Sequence, residues 1–462
     1  MTKPMQAILI GAGNRGADCY APYALEHPEE LQFVAVAEPI EVRRKAFAEK
    51  HQIPEENQFE SWEPLLEKPV LGEVAFVCTQ DWQHTAPAIA AMRAGYHVLL
   101  EKPMANKLEE CKLLVETSQL TQQQLQICHV LRYTDHFKKL RELVQSGVLG
   151  QIIQVDHREN VSFWHMAHSY VRGNWRDETE SSPMILAKCC HDLDILPWIL
   201  GQKPVKLASV GSLMHFKSEN APQDAPMRCL DGCPVAETCP YYAPLIYQEM
   251  APFWNSIADT STGFTRWASY QYAKNPATIR AFSWVIPTLK QLPNYAGWPL
   301  TILAQDPTPE NIEAALRDGP YGRCVYHCDN NVVDHQVVMM QFEDDSSVNL
   351  TMHGHSHYEY RSTKIEGSHG RLIAEFGNGG SWIKLDEHRT DWHMEFDTSA
   401  GLGEGHGGGD FQLVASFLKG VREGLFEETL QGTQEALESH LLAFAAEESR
   451  LNNQFIEKQW WQ

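Results

Sequence analysis

A glycine-rich motif between a short apolar strand and a helix most strongly constrains how this chain folds. Residues 6–10 read QAILI, a buried-strand pattern, and GAGNRG follows at once. In the pattern G-x-G-x-x-G, the first glycine allows a tight turn, the second lets backbone approach a pyrophosphate, and the third permits close helix–strand packing. The N-terminus of the following helix then faces the phosphates. The motif predicts a dinucleotide-binding loop made by Gly11, Gly13, Asn14, Arg15 and Gly16.

A second apolar run ends in an acidic residue at the position such a loop requires. LQFVAVAEP occupies residues 31–39, and Glu38 lies 22 residues after Gly16. An acid at this spacing can bind the ribose 2′-hydroxyl of the dinucleotide. Glu38 therefore favours NAD, because the 2′-phosphate of NADP would meet a carboxylate. Arg43 and Arg44 are near enough in sequence to leave NADP open.

Short apolar strands alternate with helical stretches over the first 130 residues. Further strand patterns are GEVAFVCT (72–79), YHVLLEK (96–102) and LQICHV (125–130). Strands that alternate with helices in this way are typical of a parallel sheet with helices on both faces. We therefore predict an α/β domain over residues 1–130, with a doubly wound parallel sheet of the Rossmann type.

The pattern of predicted strands and helices changes after residue 130. Long alternating segments at 332–354 contain a DDSS turn, and two more follow before a helical C-terminal segment. We predict that residues 131–462 form an α+β domain with a large, mainly antiparallel open sheet. The stretch from about 215 to 325 is irregular and rich in proline, tyrosine and tryptophan. It is interpreted as an insertion in the second domain.

The charge balance and the cysteine content limit the class of partner and the compartment. A formal net charge of −22 argues against binding to nucleic acid or an anionic membrane, since both would repel the chain. No apolar run is long enough to span a bilayer, and the start of the chain lacks the pattern of a secretory signal. Eleven cysteines suggest reduced thiols rather than a disulfide framework. The expected location is the cytoplasm.

A cluster of cysteines marks the insertion. RCLDGCPVAETCPYY contains Cys229, Cys233 and Cys239, and GRCVYHCDN adds Cys324 near the other end of the insertion. Three thiolates with a remote fourth ligand would suit a structural Zn²⁺ that pins a loop with little core of its own. The spacings are looser than in a usual zinc knuckle. An iron–sulfur cluster, reduced thiols or a redox-sensitive pair therefore stay open as alternatives.

The segment YHVLLEKPMAN (96–106) carries a family resemblance. Together with GAGNRG, VCTQDWQHTAPAIAAMRAG and a later HDLD helix, it resembles the glucose–fructose oxidoreductase, inositol dehydrogenase and MocA (Gfo/Idh/MocA) family. The resemblance covers residues 5–210 and returns at 330–462 through EGSHGRL, GHGGGD and SHLLAFAAEESR. It implies a Rossmann domain followed by a domain whose sheet often mediates homodimers or homotetramers.

The resemblance implies three functions that the motifs alone do not separate. Members of the family oxidise sugars, inositols and related polyols, or reduce their keto forms, with NAD(P). Some use NAD without net consumption to cleave glycosidic bonds, and a few are non-catalytic regulators. We expect a small carbohydrate or polyol substrate and an NAD(P)-dependent oxidoreductase, with the glycoside hydrolase as the alternative and a ligand-sensing regulator after it.

The resemblance also implies roles for residues near the predicted cofactor. Lys102 would point at the nicotinamide and the substrate, where a cation stabilises the negative charge that develops on oxygen during alcohol oxidation. Glu101 is expected to orient Lys102 or to line the cofactor site. Thr79 and His84 follow a strand at the edge where a cofactor lies, although His84 could equally cap the next helix. By family analogy, the substrate would also meet Arg132 and Tyr133.

The apolar stretch MILAKCCHDLDIL (184–196) contains the expected proton acceptor. In the family, a histidine at the position of His191 takes the proton of the substrate hydroxyl. Asp194 stands at i+3 from this histidine, so that its carboxylate could orient the imidazole. Polar groups paired structurally at a domain interface are the alternative for this helix.

One position in this helix departs from the family pattern. Many members have an aspartate four residues before the histidine, where this chain has Ala187 and then Lys188. Lys188 would share the face of His191, and with Lys102 it would place two cations around one oxygen. Such a pair could bind an acidic sugar, and neighbouring lysines could lower each other's pKa.

Overall fold

The computed structural model describes residues 3–261, 263–284, 286, 289–290, 292–377, 380–399 and 406–461. The strands within these residues are β1 (Met5–Ile10), β2 (Leu31–Ala37), β3 (Gln58–Phe59), β4 (Val74–Val77), β5 (His97–Leu100), β6 (Leu125–Ile127), β7 (Ile152–Ser162), β8 (Pro204–Ser212), β9 (His335–Phe342), β10 (Ser347–Ser356), β11 (Tyr360–Gly367), β12 (Gly370–Gly377), β13 (Trp382–Glu387), β14 (His393–Asp397) and β15 (Ile456–Glu457).

The α-helices in the same ranges alternate with the strands in the first third of the chain and cluster in the insertion. They are α1 (Pro22–Glu26), α2 (Glu41–His51), α3 (Trp62–Leu66), α4 (Thr85–Ala94), α5 (Leu108–Thr121), α6 (Asp135–Gln145), α7 (Phe163–His165), α8 (Met184–Ala187), α9 (Cys190–Leu200), α10 (Ala243–Tyr247), α11 (Ala251–Thr260), α12 (Gly263–Lys274), α13 (Pro276–Phe282), α14 (Leu300–Leu303), α15 (Pro309–Asp318), α16 (Gly409–Glu423) and α17 (Phe426–Asn452). π-Helices span Asn14–Tyr20 and Met166–Arg172.

The N-terminal strands form the predicted doubly wound parallel sheet. Among the described residues its order is β3-β2-β1-β4-β5-β6, and every pair is parallel. Successive residues of β1 enter different cores: Ala7 and Leu9 pack on one face, Ile8 and Ile10 on the other. This explains the continuous apolar runs, because both faces of the sheet are covered. The strand order reverses between β1 and β4, which is where such sheets bind ligands.

The second sheet confirms the predicted α+β class. Its described strands run in the order β14-β13-β12-β11-β7-β10-β9-β8-β15, antiparallel except for the β7–β10 pair. Buried and more exposed residues alternate along β12, as in a sheet with one face on a core. The predicted strand pair within 332–354 is present as β9 and β10.

The two C-terminal helices connect the two sheets. Phe417 on α16 packs into a core cluster of the first sheet. On α17, Ala436 packs on the first sheet and Leu441 on the second. The backbone N–H of Met104 donates to Nε2 of His440 on α17 at 2.8 Å. The end of the chain therefore holds the segment that carries Lys102 against the second domain.

The insertion is more ordered than its sequence suggests. Helices α10 to α15 surround a hydrophobic cluster of their own, in which Trp254 and Leu316 are buried. The expectation of an irregular loop with little core is therefore wrong. Aromatic residues provide much of this core, as in the edge contact between Trp254 and Tyr272 at 5.5 Å. Scattered large rings bury area without the regular period that indicates a helix in sequence.

Candidate active site

The glycine-rich loop is shaped for close approach of a ligand to the backbone. Gly11 has φ of +94°, and a Cβ there would lie 2.6 Å from the carbonyl oxygen of Cys78. A Cβ on Gly16 would lie 2.4 Å from the carbonyl oxygen of Gly11, so that the π-helix can pack on the strand end. A Cβ on Gly13 would meet nothing within 4 Å. Space beside the middle glycine fits a pyrophosphate, as the motif requires.

Glu38 lies beside this loop at the end of β2. Its carboxylate is buried and accepts hydrogen bonds from the backbone N–H groups of Ala12, at 2.8 Å, and of Ile40, at 3.0 Å. Arg44 is also buried, and its guanidinium donates to the carbonyl oxygen of Glu38. The carboxylate of Glu38 is thus held at the predicted ribose position. The guanidinium of Arg44 is occupied by the backbone carbonyl of Glu38.

A polar side chain just after β4 has no hydrogen-bond partner among the described residues. The hydroxyl oxygen of Thr79 is buried and makes no hydrogen bond within the described chain. The ring of the neighbouring His84 lies between two carbonyl oxygens, with Nδ1 2.6 Å from Pro103 O and Nε2 3.1 Å from Thr79 O. His84 therefore ties the loop after β4 to the segment that carries Lys102, and it makes no side-chain cap on α4. The orphaned Thr79 hydroxyl fits a ligand at this edge.

Arg15 lies in a charge cluster behind the glycine-rich loop. Its guanidinium donates to Glu101 at 2.7 Å and to Asp410 of α16 at 2.7 Å, and it stacks on Tyr20 at 4.6 Å. Burial alone would raise the pKa of Glu101, but Arg15 and Lys102 outweigh it and lower that pKa. The Glu101 carboxylate also accepts from the backbone N–H of Lys102 at 2.7 Å. Glu101 therefore fixes the backbone at Lys102.

The ammonium of Lys102 reaches across to the second domain. Its Nζ donates to the carbonyl oxygen of Ala187 at 3.0 Å, and its side chain is partly exposed. Within the described part of the chain, no carboxylate lies within ion-pair distance of it. Ala187 stands where the family resemblance implies an aspartate. It contacts Lys102 through its backbone carbonyl rather than through a side chain.

The segment 184–196 is two helices rather than one. The helix α8 ends at Ala187, α9 begins at Cys190, and Lys188 lies in the break with φ of −106° and ψ of −48°. The expectation that Lys188, His191 and Asp194 form one stripe toward the cleft is therefore wrong. The side chains of Lys188, His191 and Asp194 have different surroundings.

Lys188 is neutralised by two acids of the second sheet. Its Nζ lies 2.5 Å from an oxygen of Glu359 and 3.3 Å from one of Glu159 on β7. Burial would lower the pKa of Lys188, but Glu359 and Glu159 outweigh it and raise that pKa. The expectation that neighbouring lysines lower each other's pKa is therefore wrong for Lys188. Two carboxylates hold this ammonium charged.

The same buried network extends along the sheet. Arg361 on β11 pairs with Glu159 at 2.8 Å and with Asp192 at 2.7 Å. Asp192 also lies 2.9 Å from Nε2 of His157, and Glu359 lies 2.5 Å from Nδ1 of His165. These groups join β7, β11 and the start of α9. Each charged group of this network contacts an opposite charge, so removal of a cation leaves buried carboxylates with less compensation.

Asp194 faces away from this network. Both of its oxygens accept from Arg132, each at 2.7 Å, and Arg132 also pairs with Glu435 of α17. The carboxylate that the sequence predicts to orient His191 is thus held by the arginine that the sequence predicts to bind substrate. Tyr133 accepts from Gln126 of β6 at 3.0 Å and packs against a core cluster of the first sheet.

Three imidazoles meet beside Lys102. The ring of His129 lies 5.7 Å from that of His191 and 5.6 Å from that of His440, both in edge contacts. Burial, together with Arg132 and Lys102, holds the pKa of His129 well below its usual value. Burial lowers the pKa of His440 to about 3, so this imidazole is neutral. The neutral rings of His129 and His440 add no second positive charge beside Lys102.

A line of aromatic rings runs from the cofactor edge to the insertion. The indole N–H of Trp175 donates to Asp81, in the loop after β4, at 3.0 Å. From Trp175 the ring contacts continue through Tyr170 and His165 at 6.1 Å each. The ring of His165 lies 5.8 Å from that of Trp298 in the insertion. The surroundings of Lys188 therefore combine charged groups with aromatic rings.

The structure does not support the predicted zinc centre at Cys229, Cys233, Cys239 and Cys324. Among the residues that the structure describes, no group of three or more His, Cys, Asp or Glu side chains could hold a metal ion. Arg172 lies among these thiols, and its guanidinium contacts Sγ of Cys229 at 3.7 Å. A buried guanidinium at this point repels a cation. All eleven cysteines are free.

Sequence reasoning missed the acids, the arginine and two of the histidines around these lysines. The alternation in β7 places His157 and Glu159 on one buried face, so the period of the strand could have indicated them. Glu359 and Arg361 lie about 200 residues further on, and their pairing depends on the β7–β11 register. His129 and His440 meet only because α17 packs across both sheets.

No helix in the described ranges is long and apolar enough to cross a membrane. The cytoplasmic location and the homo-oligomer stay predictions.

Comparison with known proteins places the chain in a family. Residues 5–129 match the family model described as "Oxidoreductase family, NAD-binding Rossmann fold", and residues 141–271 match "Oxidoreductase family, C-terminal alpha/beta domain".

Three individual relatives match part of the chain. The putative oxidoreductase YteT of Bacillus subtilis is 25% identical over 207 residues, which are 44% of this chain and 47% of that protein. The trans-1,2-dihydrobenzene-1,2-diol dehydrogenase of Bos taurus is 28% identical over 206 residues, 44% and 58% of the two chains. The inositol 2-dehydrogenase of Corynebacterium glutamicum is 27% identical over 222 residues, 46% and 61%. The chain thus spans about half the length of the curated relatives it matches.

Two solved structures cover nearly the whole chain. The aldose-aldose oxidoreductase from Caulobacter crescentus complexed with glycerol matches 98% of this chain and 100% of its own, with a TM-score of 0.62 and 13% identity. An oxidoreductase from Agrobacterium radiobacter in complex with NAD+, L-tartaric acid and magnesium matches 98% of each chain, with a TM-score of 0.61 and 12% identity. At this identity the likeness shows a shared fold. The two family models together with the two-sheet architecture show that the chain belongs to the Gfo/Idh/MocA oxidoreductase family.

Proposed function

We propose that this protein is an NAD-dependent oxidoreductase that acts on a secondary alcohol of a neutral sugar or polyol. The observation that carries the proposal is the Lys102 ammonium, which reaches the carbonyl of Ala187 at the end of α8, just before the helix that carries His191. It joins the edge of the cofactor sheet to the helix that carries the expected proton acceptor. Relatives named for oxidation of an inositol and of a dihydrodiol support the substrate class.

The residues of the cleft divide the chemistry between them. The substrate hydroxyl would lie between Lys102 and His191, with its proton passing to the imidazole of His191. Lys102 then stabilises the negative charge on the substrate oxygen, in a place where neutral imidazoles do not compete for it. A nicotinamide bound at the glycine-rich loop would supply the acceptor for the hydride of the substrate carbon. The Arg132–Asp194 pair keeps α9 in position for this transfer.

The surroundings of Glu38 support NAD rather than NADP. Its carboxylate is fixed by two backbone N–H groups at the position of the ribose hydroxyl, where it would repel a 2′-phosphate. Arg44 donates to backbone carbonyls and is buried, so it is not presented to a phosphate. The expected result is a kcat/KM at least about tenfold higher with NAD than with NADP.

The charges of the cleft support a neutral substrate. Lys188 is matched by two carboxylates, so the pair of lysines does not present two spare cations to an acidic sugar. The Glu359 side chain is 28% exposed and offers acceptors to hydroxyl groups. The partly exposed ring of Trp298 offers a face to the C–H groups of a sugar. We therefore expect polyols and neutral sugars to be preferred over uronic acids.

The test is a turnover assay on the full chain with NAD, neutral polyols, aldoses, uronic acids and aryl glycosides. NADH release at one equivalent per product supports the oxidoreductase. Release of aglycone without net NADH would identify the NAD-retaining glycosidase instead. No turnover with any substrate while NAD still binds would identify a regulator. His191→Asn should lower kcat by about 10²-fold or more while NAD binding, followed by fluorescence, stays unchanged.

A further inference from the structure

A cavity of about 590 Å³ lies behind the helix that carries His191. It is bounded by Arg141 on α6, Trp198 on α9, Leu441 on α17 and Pro204 at the start of β8. Lys102, Lys188 and His191 do not line it, so it is separate from the candidate active site, although Asp194 forms part of its wall. Its volume falls within the range of about 300–1,000 Å³ that small-molecule sites occupy.

Every cation of this cavity except one is neutralised by an acid. Arg132 pairs with Asp194 and Glu435. In the same wall, Lys203 pairs with Glu438 at 2.6 Å, and Lys458 pairs with Glu343 at 2.7 Å. These pairs hold the cavity together but leave their cations little capacity for a ligand. The exception is Arg141.

The guanidinium of Arg141 is held against an aromatic face without an anion. Its central carbon lies 4.3 Å from the centre of the Trp198 ring. Its Nε is buried and lacks a hydrogen-bond partner, and no ion pair to Arg141 occurs in the described part of the chain. Burial and the like charge of Arg132 lower the pKa of Arg141, and the carboxylate of Glu435, beyond ion-pair distance, offsets them only in part. An oriented guanidinium without a direct ion pair, in a chain of net charge −22, is a local site for an anion.

The rest of the cavity selects what kind of anion fits. Apolar side chains cover much of the wall, among them Leu193, Leu437, Leu441, Leu442 and Trp461. A ligand must therefore bring an apolar body as well as a charge. Glu435 and Glu438 lie in the same wall and disfavour a dianion such as a phosphate. One guanidinium suits one carboxylate, which it can bind through two parallel hydrogen bonds.

We propose that this cavity is a binding site for a small amphipathic carboxylate. The carboxylate pairs with Arg141, and the apolar body packs on Trp198 and the leucines of α9 and α17. Because Trp198 belongs to the helix that begins beside His191, an occupant also stabilises that helix. The proposal is independent of the proposed function, since none of the groups that move a proton lines the cavity.

The test is direct binding to the full chain, with benzoate, 4-phenylbutyrate and hexanoate as probes. Calorimetry should show saturable binding of at least one probe at one site per chain. Benzyl alcohol, 4-phenylbutanol or hexanol, which have the same bodies without the charge, should bind at least about tenfold more weakly. Arg141→Ala should weaken binding of the carboxylate by about tenfold or more, and Arg141→Gln should do the same while keeping a polar, uncharged side chain at this position.

Arg317→Ala is the matched control, because it removes an exposed arginine of α15 far from the cavity in sequence. It should leave the affinity of the probe unchanged. Absence of saturable binding by all three carboxylates would overturn the proposal. Equal affinity of wild type and a folded Arg141→Gln protein, checked by circular dichroism, would overturn it as well.

Discussion

Two lysines that lie on either side of Ala187 have opposite electrostatic surroundings. Lys188 lies within 3.3 Å of two carboxylates and belongs to a network that joins β7, β11 and α9. Lys102 touches a backbone carbonyl and lies near imidazoles that are held neutral. The ammonium of Lys188 is paired within the protein, whereas that of Lys102 has no carboxylate within ion-pair distance in the described chain and is the one that we propose to meet the substrate. The charged partners of the two lysines therefore distinguish them where sequence spacing does not.

The largest effect should follow from removal of Lys188, the lysine that is paired within the protein. Lys188→Met should lower the free energy of unfolding by about 3–5 kcal/mol, because Arg361 would then be the one lysine or arginine left among the buried acids Glu159, Glu359 and Asp192 of this network. Denaturant unfolding followed by circular dichroism measures this. Arg317→Met is the matched control, since it breaks an exposed pair with Glu313 and should cost about 0.5 kcal/mol or less. A loss below that of the control would show that the Lys188 network does not hold the fold.

The next largest effect should follow from removal of Lys102, the lysine that we propose to meet the substrate. Lys102→Ala should lower kcat by about 10²–10³-fold, the usual cost of losing one group that stabilises charge on a reacting oxygen. Its unfolding free energy should change much less than that of Lys188→Met, because Lys102 makes no ion pair in the described chain. Lys107→Ala, which removes an exposed lysine five residues away, serves as the control. A normal kcat in Lys102→Ala would end the assignment.

The fold was predictable from sequence because each sheet leaves a periodic signal. The apolar runs of β1, β2, β4, β5 and β6 and the glycine motif predicted the parallel sheet, and the alternation of β9 and β10 predicted the second sheet. The two-residue strand β3 was too short to leave a period. The insertion was misjudged because its core consists largely of aromatic rings at irregular spacing.

The candidate site was only partly predictable, for a reason that the two lysines illustrate. Lys102 could be found because a local motif contains it. The role of Lys188 depends on Glu359, which lies 171 residues away and is brought near by the pairing of β7 with β11. Sequence spacing placed Lys188 and His191 on one helical face, but the break between α8 and α9 separates them. Partners that meet through tertiary structure leave no local signal.

A smaller effect should appear as pH falls, and His440, near Lys102, should contribute to it. The pKa of His440 is lowered to about 3 in the folded protein by burial, so the unfolded chain binds the proton more readily below pH 6.5. Stability is therefore lost as pH falls from 6.5, by about 2 kcal/mol at pH 5 from this group. His440→Gln cannot titrate and should lose correspondingly less stability between pH 7 and 5 in denaturant unfolding. An unchanged pH dependence would show that His440 is protonated at little cost.

The Lys188 side should respond at lower pH and more weakly. Burial would raise the pKa of Glu359, but His165 and Lys188 outweigh it and hold that pKa well below 4.5. A carboxyl with a depressed pKa stabilises the fold above its unfolded value, and this stability is lost as pH falls below about 4.5. Glu359→Gln should therefore flatten the fall between pH 4.5 and 3.5 by about 1 kcal/mol, measured as the difference in slope from wild type. Because the slope is compared rather than the absolute stability, the loss of the Lys188 partner at neutral pH does not enter. If Glu359→Gln instead reduced the loss of unfolding free energy near pH 6, the neutral imidazoles near Lys102 would be coupled to the charged network of Lys188. That result would contradict the distinction between the two lysines.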